Sequence, residues 1–399
     1  MSVNALILSG GGARAAYQVG VLQAFATLLP HLKNPFPIIC GTSAGAINAL
    51  YLAAHLGEFN QAAQDLAAIW HNLHIQQVYR CQWQDLIKGV GKIGASFFNR
   101  GVGIHHPLAL LDNSPLRELL SELIQFEHLD LRIKRGELEA VSVTALGYHS
   151  GDSVTFFQGA SNLQPWRRAR RVGVASTLNV DHLLASSAIP TVFPAVFLER
   201  EYFGDGAMRQ MAPISPALHL GADRIVVIGV SGNRNPENWQ RKNTGGRSFP
   251  SMGNIVGQML NSAFIDALEG DLEHLERVNQ LVRLLPADVL NTAPNYLRPV
   301  ETLVISPSKP LDKIAGRHVR DLPPPMRFFM RATGSTASSG GASAASYLLF
   351  SNQYCHELIE LGYQDAMWER DNIERFFADQ ACPLAAAKTP KTPKKPNKK

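Results

Sequence analysis

A chain of 399 residues with 45% hydrophobic and 18% charged side chains has ample material for a globular core, as one large α/β domain with additions or as two domains. No apolar stretch reaches the ~20 residues of a membrane-spanning helix, and four cysteines without CxxC spacing (Cys40, Cys81, Cys355, Cys382) suggest neither a zinc site nor a disulfide framework. Six lysines fall in residues 383–399, and without them the formal charge of +5 becomes −1, so nothing basic in the body points to nucleic acid.

The N-terminus, Met1 to Leu8, lacks a basic n-region, and its short apolar run goes straight into glycines. That predicts a buried strand over residues 4–8 rather than a signal peptide and, with the cysteine pattern, a cytoplasmic protein. Ser9-Gly10-Gly11-Gly12-Ala13-Arg14 follows, then a helix with apolar residues at Ala16, Val19, Leu22, Ala26 and Leu29. Pro30 and Pro35-Phe36-Pro37 close that unit. Ile38-Ile39-Cys40 reads as a second strand, Gly41-Thr42-Ser43-Ala44-Gly45 as a tight turn, and the alanine-rich run to His55 as a helix. This βαβα opening argues for a parallel sheet with helices on its faces.

A second helical pattern spans Phe59 to Leu73. In residues 80–106, Trp83, Phe97 and Phe98 sit among Lys88, Lys92 and Arg100, which reads as a packed helical excursion or as a lid beside an apolar site. Asn113-Ser114-Pro115 opens a helix to about Ile124. Glu139 to Leu146 and Ser153 to Phe157 alternate like strands, and Val180 to Ala185 is a short helix. A strand near Glu201 to Phe203 leads into Gly204-Asp205-Gly206-Ala207, and Arg224 to Val230 is a strongly apolar strand. After a polar loop from Gly232 to Pro250 come a long helical pattern to about Leu285, a strand at Thr302 to Ile305 and a low-complexity run from Thr333 to Ser346. One terminal helix is expected from Cys355 to Phe377.

The chemistry centres on Ser43. A Gly-x-Ser-x-Gly turn between strand and helix presents its serine at a sharp apex, with Gly41 and Gly45 making room for neighbouring backbone. A serine hydroxyl needs a base, and acyl transfer needs N–H groups aimed at the developing oxyanion. Gly10, Gly11 and Gly12 leave amides open at a helix start, and Ala44 offers the N–H after the nucleophile. Arg14 either orients that loop, attracts an anionic head group, or is an ordinary helix-surface arginine. Asp205, in a turn between two glycines, is a candidate base that would need desolvation to rise from a pKa of ~3.9. Of thirteen histidines, His105, His106 and His182 are the better placed partners for a triad, though none is tied to the other motifs.

These residues resemble the patatin-like phospholipases. The resemblance is carried, in order, by Gly10-Gly11-Gly12-Ala13-Arg14, by Gly41-Thr42-Ser43-Ala44-Gly45, by Ala185-Ser186-Ser187-Ala188-Ile189-Pro190 with Phe193-Pro194, and by Asp205-Gly206-Ala207. It covers roughly residues 5–220 and departs at Ala15, where the family often has glycine. It implies a three-layer α/β/α fold with a mainly parallel central sheet, extended here by a largely helical C-terminal part. It also implies hydrolysis of lipid acyl esters by a Ser–Asp dyad without histidine, metal or diffusible cofactor. On that basis Ser43 is the nucleophile, Asp205 the base, Gly10 to Gly12 with Ala44 the oxyanion hole, and Arg14, Gly41, Gly45 and Gly206 support the motifs.

The domains expected are a catalytic one at 1–220, a region at 221–382 that completes or packs on the sheet, and a disordered Lys-rich tail at 383–399. The tail is a candidate for peripheral contact with an anionic membrane face. A dinucleotide-binding reading of Gly10-x-Gly12-x-x-Ala15 expects an acidic residue ~20 positions on, and the chain has no Asp or Glu before Glu58. A soluble ester or acyl-thioester as substrate, and a silent member that only binds lipid or a partner, remain the alternatives.

Overall fold

A computed structural model describes residues 2–98, 108–231, 251–262, 267–286, 298–332 and 342–378. The loop expected at Gly232 to Pro250, His105, His106 and the tail at 383–399 lie outside the described residues.

The chain opens as β1 (Asn4–Leu8), a 3-10 turn (Gly12–Ala15), α1 (Ala16–Leu28), β2 (Ile38–Thr42), α2 (Ala44–Ala54) and α3 (Phe59–His71). Then come α4 (Ile75–Val78), α5 (Trp83–Phe98), α6 (Ser114–Leu123), α7 (Glu127–Lys134), β3 (Ala140–Gly147), β4 (Ser153–Gly159), β5 (Trp166–Arg168), β6 (Arg171–Ala175) and α8 (Val180–Ser186). The hairpin β7 (Val196–Leu198) and β8 (Glu201–Asp205) precedes α9 (Ser215–His219) and β9 (Arg224–Ile228). The remainder is α10 (Met252–Asn261), α11 (Ala267–Arg283), β10 (Glu301–Ile305), α12 (Leu311–His318), α13 (Pro324–Ala332), α14 (Ala342–Leu348), α15 (Asn352–Trp368) and α16 (Arg370–Phe377).

Nine described pairings build one sheet in the order β10-β9-β1-β2-β3-β4-β6-β5. From β10 through β3 every neighbour is parallel. The β1 side chains alternate between two cores. Leu6 and Leu8 join the α1–α3 side, whereas Ala5 and Ile7 face α9 and Leu275 of α11. A parallel strand buried on both faces needs a continuous apolar run, which is what residues 4–8 and 224–228 supply.

The register at β3 positions the site. On one edge β3 pairs antiparallel with β4 through Ala140 to Leu146. On the other it pairs with β2 only as far as Thr42↔Thr144, because the chain then turns off into α2. The edge so vacated is taken by β8, with Ala145 opposite Asp205 and Gly147 opposite Phe203. The residue after Thr42 and the last residue of β8 are thereby brought side by side.

Strands β9 and β10 extend the sheet beyond β1, and α15 crosses α1 at backbone contact distance. A Cβ on Gly20 would overlap the carbonyl of Ile359, and one on Gly362 would overlap that of Tyr17. Beside this crossing the Tyr17 hydroxyl donates to Asp365 Oδ2 at 3.1 Å.

One local expectation is corrected. The single terminal helix is two, because the chain changes direction at Glu369, which ends α15 and caps α16. The strands β5, β6 and β7 and the helix α7 were not legible, since β5 and β7 have only three residues and neither β6 nor α7 carries an unbroken apolar run. In the segment 80–106, residues 83–98 form α5, with Trp83 against Phe328 of α13 at 5.4 Å between ring centroids. Among the described residues no helix is long and apolar enough to cross a membrane.

Candidate active site

Ser43 sits between β2 and α2 with φ +54° and ψ −132°. A side chain held at positive φ outside the left-handed helical basin costs on the order of 1–3 kcal/mol and persists only where its surroundings fix it. Here the fixing is steric and polar together. A Cβ on Gly41 would overlap the Ala46 backbone, and one on Gly45 would overlap the carbonyls of Leu8 and Ser9. The Ser43 N–H donates to Ser186 Oγ at 2.8 Å, and that hydroxyl donates onward to the Thr144 carbonyl at 2.6 Å. Thr42 donates to Gln210 Oε1 at 2.7 Å on the other side of the turn.

Ser43 Oγ donates to Asp205 Oδ2 at 2.6 Å, and Asp205 Oδ1 accepts the Ala207 N–H at 2.9 Å. The Asp205 N–H donates to the Ala188 carbonyl at 2.9 Å. Gly206 allows this approach, because a Cβ there would overlap the Thr144 carbonyl. Asp205 is completely buried, and burial pushes its carboxyl up to about 7 against the opposing pull of the two hydrogen bonds. A carboxylate with that affinity for protons is matched to proton transfer near neutrality.

Gly10, Gly11 and Gly12 enter the 3-10 turn immediately beside the N-terminus of α2, where Gly45 abuts Leu8 and Ser9. Gly12 has φ +56°, and a Cβ on it would overlap the Tyr347 carbonyl. The loop is held from below by buried amides. Gln18 donates to the Ser9 carbonyl at 2.8 Å, Asn48 donates to Gln18 at 3.1 Å, and Trp70 donates to Asn48 at 2.9 Å. Ala44, the first residue of α2, is buried next to Ser43.

Arg14 is not on a helix surface. Its side chain is buried, with Nε donating to Ser346 at 2.7 Å, Nη2 at 3.4 Å from Asn261 and Ser343, and the guanidinium 4.1 Å above the Tyr347 ring. Among the described residues its partners are hydroxyls, an amide and an aromatic ring rather than a carboxylate. His182 is brought to neither Ser43 nor Asp205. It caps α8 through Asn179, reaches Ser176 with Nε2, and burial drives its pKa down to about 4.

A narrow apolar pocket begins at Ala44, beside the serine, and runs between α2, α3 and α6 past Ile47, Tyr51, Trp70, Leu116 and Leu120. Ala44 to Tyr51 spans about 10 Å of helix.

The sequence reading missed what holds the site. Ser186 and Ala188 lie in the segment 185–190, yet their partners, the Ser43 and Asp205 N–H groups, were invisible. Asn48 carried a signal, as a lone amide in an apolar, alanine-rich helix. Gln210, Asn261, Ser343 and Ser346 carried none.

The family model for patatin-like phospholipase matches residues 6–218. Over 218 residues the chain is 30% identical to a cGAMP-activated phospholipase of Pseudomonas aeruginosa, covering 54% of this chain and 56% of that protein. It is 27% identical over 216 residues to a cGAMP-activated phospholipase of Escherichia coli, at 52% of each. The chain thus spans about half the length of the curated relatives it matches. Among solved structures, human GIVD cytosolic phospholipase A2 aligns with 95% of this chain and 59% of its own, at 12% identity and a TM-score of 0.42, a likeness that carries no argument about chemistry.

Proposed function

We propose, for a chain that belongs to the patatin-like phospholipase family, that Ser43 and Asp205 form a catalytic dyad hydrolysing fatty acyl esters of phospholipids and related lipids. The observation that carries this reading is the 2.6 Å hydrogen bond from Ser43 Oγ to a buried carboxyl whose pKa is raised to about 7.

Ionised Asp205 takes the Ser43 proton as Oγ attacks the ester carbonyl. The oxyanion is held by N–H groups of Gly10 to Gly12 and Ala44. The Ser43 N–H is already engaged by Ser186, so it is not counted among the donors. Collapse expels the alcohol, which recovers the proton from Asp205. Water then gives a proton to Asp205 as it attacks the acyl-enzyme, and Ser43 Oγ recovers that proton from Asp205 as the fatty acid leaves. The apolar pocket beside Ala44 suits an acyl chain and offers nothing to a polar substrate.

Purified protein should hydrolyse nitrophenyl esters and mixed phospholipids. Ser43→Ala should lower kcat by at least three orders of magnitude with the fold intact. Retained hydrolysis in that variant would sink the assignment.

The burial of both groups, with Ser43 only 1% exposed, favours an activation step that opens the site. The matched relatives are cGAMP-activated, so cGAMP is the ligand to add. Hydrolysis rising with its concentration is the expected result, and an unchanged rate at saturating cGAMP would remove this second reading.

A further inference from the structure

The β-register places three hairpin tips at the same end of the sheet as Ser43. Strand β3 runs toward that end, and β4 starts from it, so the 148–152 turn lies there. Ser153 of β4 pairs with Arg171 of β6, and Arg168 of β5 pairs with Arg171, which puts the 168–171 turn beside it. Strand β8 enters the sheet from above, since Gly147↔Phe203 precedes Ala145↔Asp205, so the Leu198–Glu201 turn of the β7–β8 hairpin stands farthest out. The tips are tied together. The Tyr148 N–H donates to the Tyr202 carbonyl at 2.9 Å, the His149 and Ser150 N–H groups donate to Glu201 Oε2, and the Ser153 N–H donates to the Arg170 carbonyl at 3.0 Å.

What these tips expose is unusual in combination. Phe197 is 57% exposed and packs edge-on against Tyr202, itself 48% exposed, with Tyr148 also in solvent. Met211, one residue beyond the Gln210 that bonds Thr42, is 71% exposed. Around them stand Arg167, Arg168, Arg170, Arg200 and Arg209, all exposed. Among the described residues only Arg170 of these has an acidic partner, Asp152 at 3.8 Å. Of the remaining local carboxylates, Glu201 is occupied by backbone N–H groups and Glu199 is the one left to oppose the arginines.

We propose that these tips are the surface on which the chain docks to an anionic lipid bilayer, with Phe197, Tyr202, Tyr148 and Met211 entering the headgroup boundary and the arginines lying against lipid phosphates. Rings with an apolar body and a polar edge favour that boundary, and guanidinium groups pair with phosphate in a two-pronged fashion. The orientation sets the carboxyl end of the sheet, and with it Ser43, toward the membrane. The biological purpose rests on the lipid-hydrolase reading; the binding test does not.

The test uses the full chain in a Ser43→Ala background, so that vesicles stay intact, with sedimentation on phosphatidylcholine vesicles carrying 30% phosphatidylglycerol or none. Binding to the anionic vesicles should fall at least tenfold between 50 and 500 mM NaCl. It should fall at least tenfold in Arg167→Glu/Arg168→Glu and several-fold in Phe197→Ala and in Arg200→Glu, with thermal melts matching the parent. In the Ser43 background the same surface variants should keep soluble-ester hydrolysis and lose vesicle hydrolysis. Unchanged vesicle binding in all of these variants would overturn the proposal. So would binding lost solely on removing residues 383–399, or these variants disrupting a dimer rather than vesicle binding. Vesicle binding as expected, with no Ser43-dependent ester hydrolysis, would leave this surface standing and remove the proposed reaction.

Discussion

Asp205 is held where its ionised form is disfavoured, and the consequence reaches stability as well as proton transfer. Its carboxyl is at about 7 in the folded chain against 3.8 for the free group. Between those values the folded state binds more protons than the unfolded state, so this group makes the fold less stable as pH rises from about 4 to 7, and the loss is complete above 7. Asp205→Asn keeps an acceptor for the Ala207 N–H and places an amide donor where Oδ2 accepted from Ser43, while removing the charge. It should therefore be more stable than the parent by on the order of a few kcal/mol above pH 7. The advantage should shrink steadily toward pH 4, as read by thermal melts across that range. Activity should move the other way, rising with pH through about 7 in the parent and nearly absent in the variant. Ser186 is the second residue whose role is positional. Ser186→Ala leaves the Ser43 N–H and the Thr144 carbonyl without their partner, which should cost about 1–3 kcal/mol of stability. It should also lower kcat roughly tenfold or more with KM little changed, because the strained apex loses its anchor.

At the scale of elements, one helix pairing and one pocket between helices matter most. Helices α1 and α15 approach so closely that Gly20 and Gly362 leave room only for the opposing carbonyls. Gly362→Ala should destabilise by about 1–3 kcal/mol in urea unfolding, through overpacking that backbone cannot relieve. In the proposed reaction the α2–α3–α6 pocket would set the preferred chain length instead. Leu120→Trp, placed on its wall, should retain hydrolysis of butyryl esters and reduce that of hexadecanoyl esters at least tenfold. An unaltered chain-length profile in a folded variant would remove the pocket from acyl binding.

For the whole molecule, the sheet joins chain segments from both sides of residue 220. Strand β1 is central only because β9 and β10 lie beyond it, and α15 covers α1. A chain ending at residue 220 would expose the β1 edge and the apolar side of α1, so it should fail to give a cooperative thermal transition and should aggregate on size exclusion. A soluble, cooperatively melting fragment would show that residues 1–220 stand as an independent unit.

Local sequence by itself determined the strands near residues 4–8, 38–40 and 224–230, the glycine loop, and the serine at the strand–helix turn, with β2 running two residues further and β9 ending two residues sooner. These are legible because a doubly buried strand needs an unbroken apolar run and a sharp turn needs glycines at fixed offsets. The sequence also marked Asp205 as a carboxylate in a turn. Only the tertiary structure decided that β8 takes the edge of β3 that β2 leaves at Ser43, because register is a property of paired strands and not of either one. The same holds for Arg14, whose burial among Asn261, Ser343 and Ser346 depends on segments some 250 to 330 residues away. It holds for Asp205 too, whose raised proton affinity is produced by the depth of its burial.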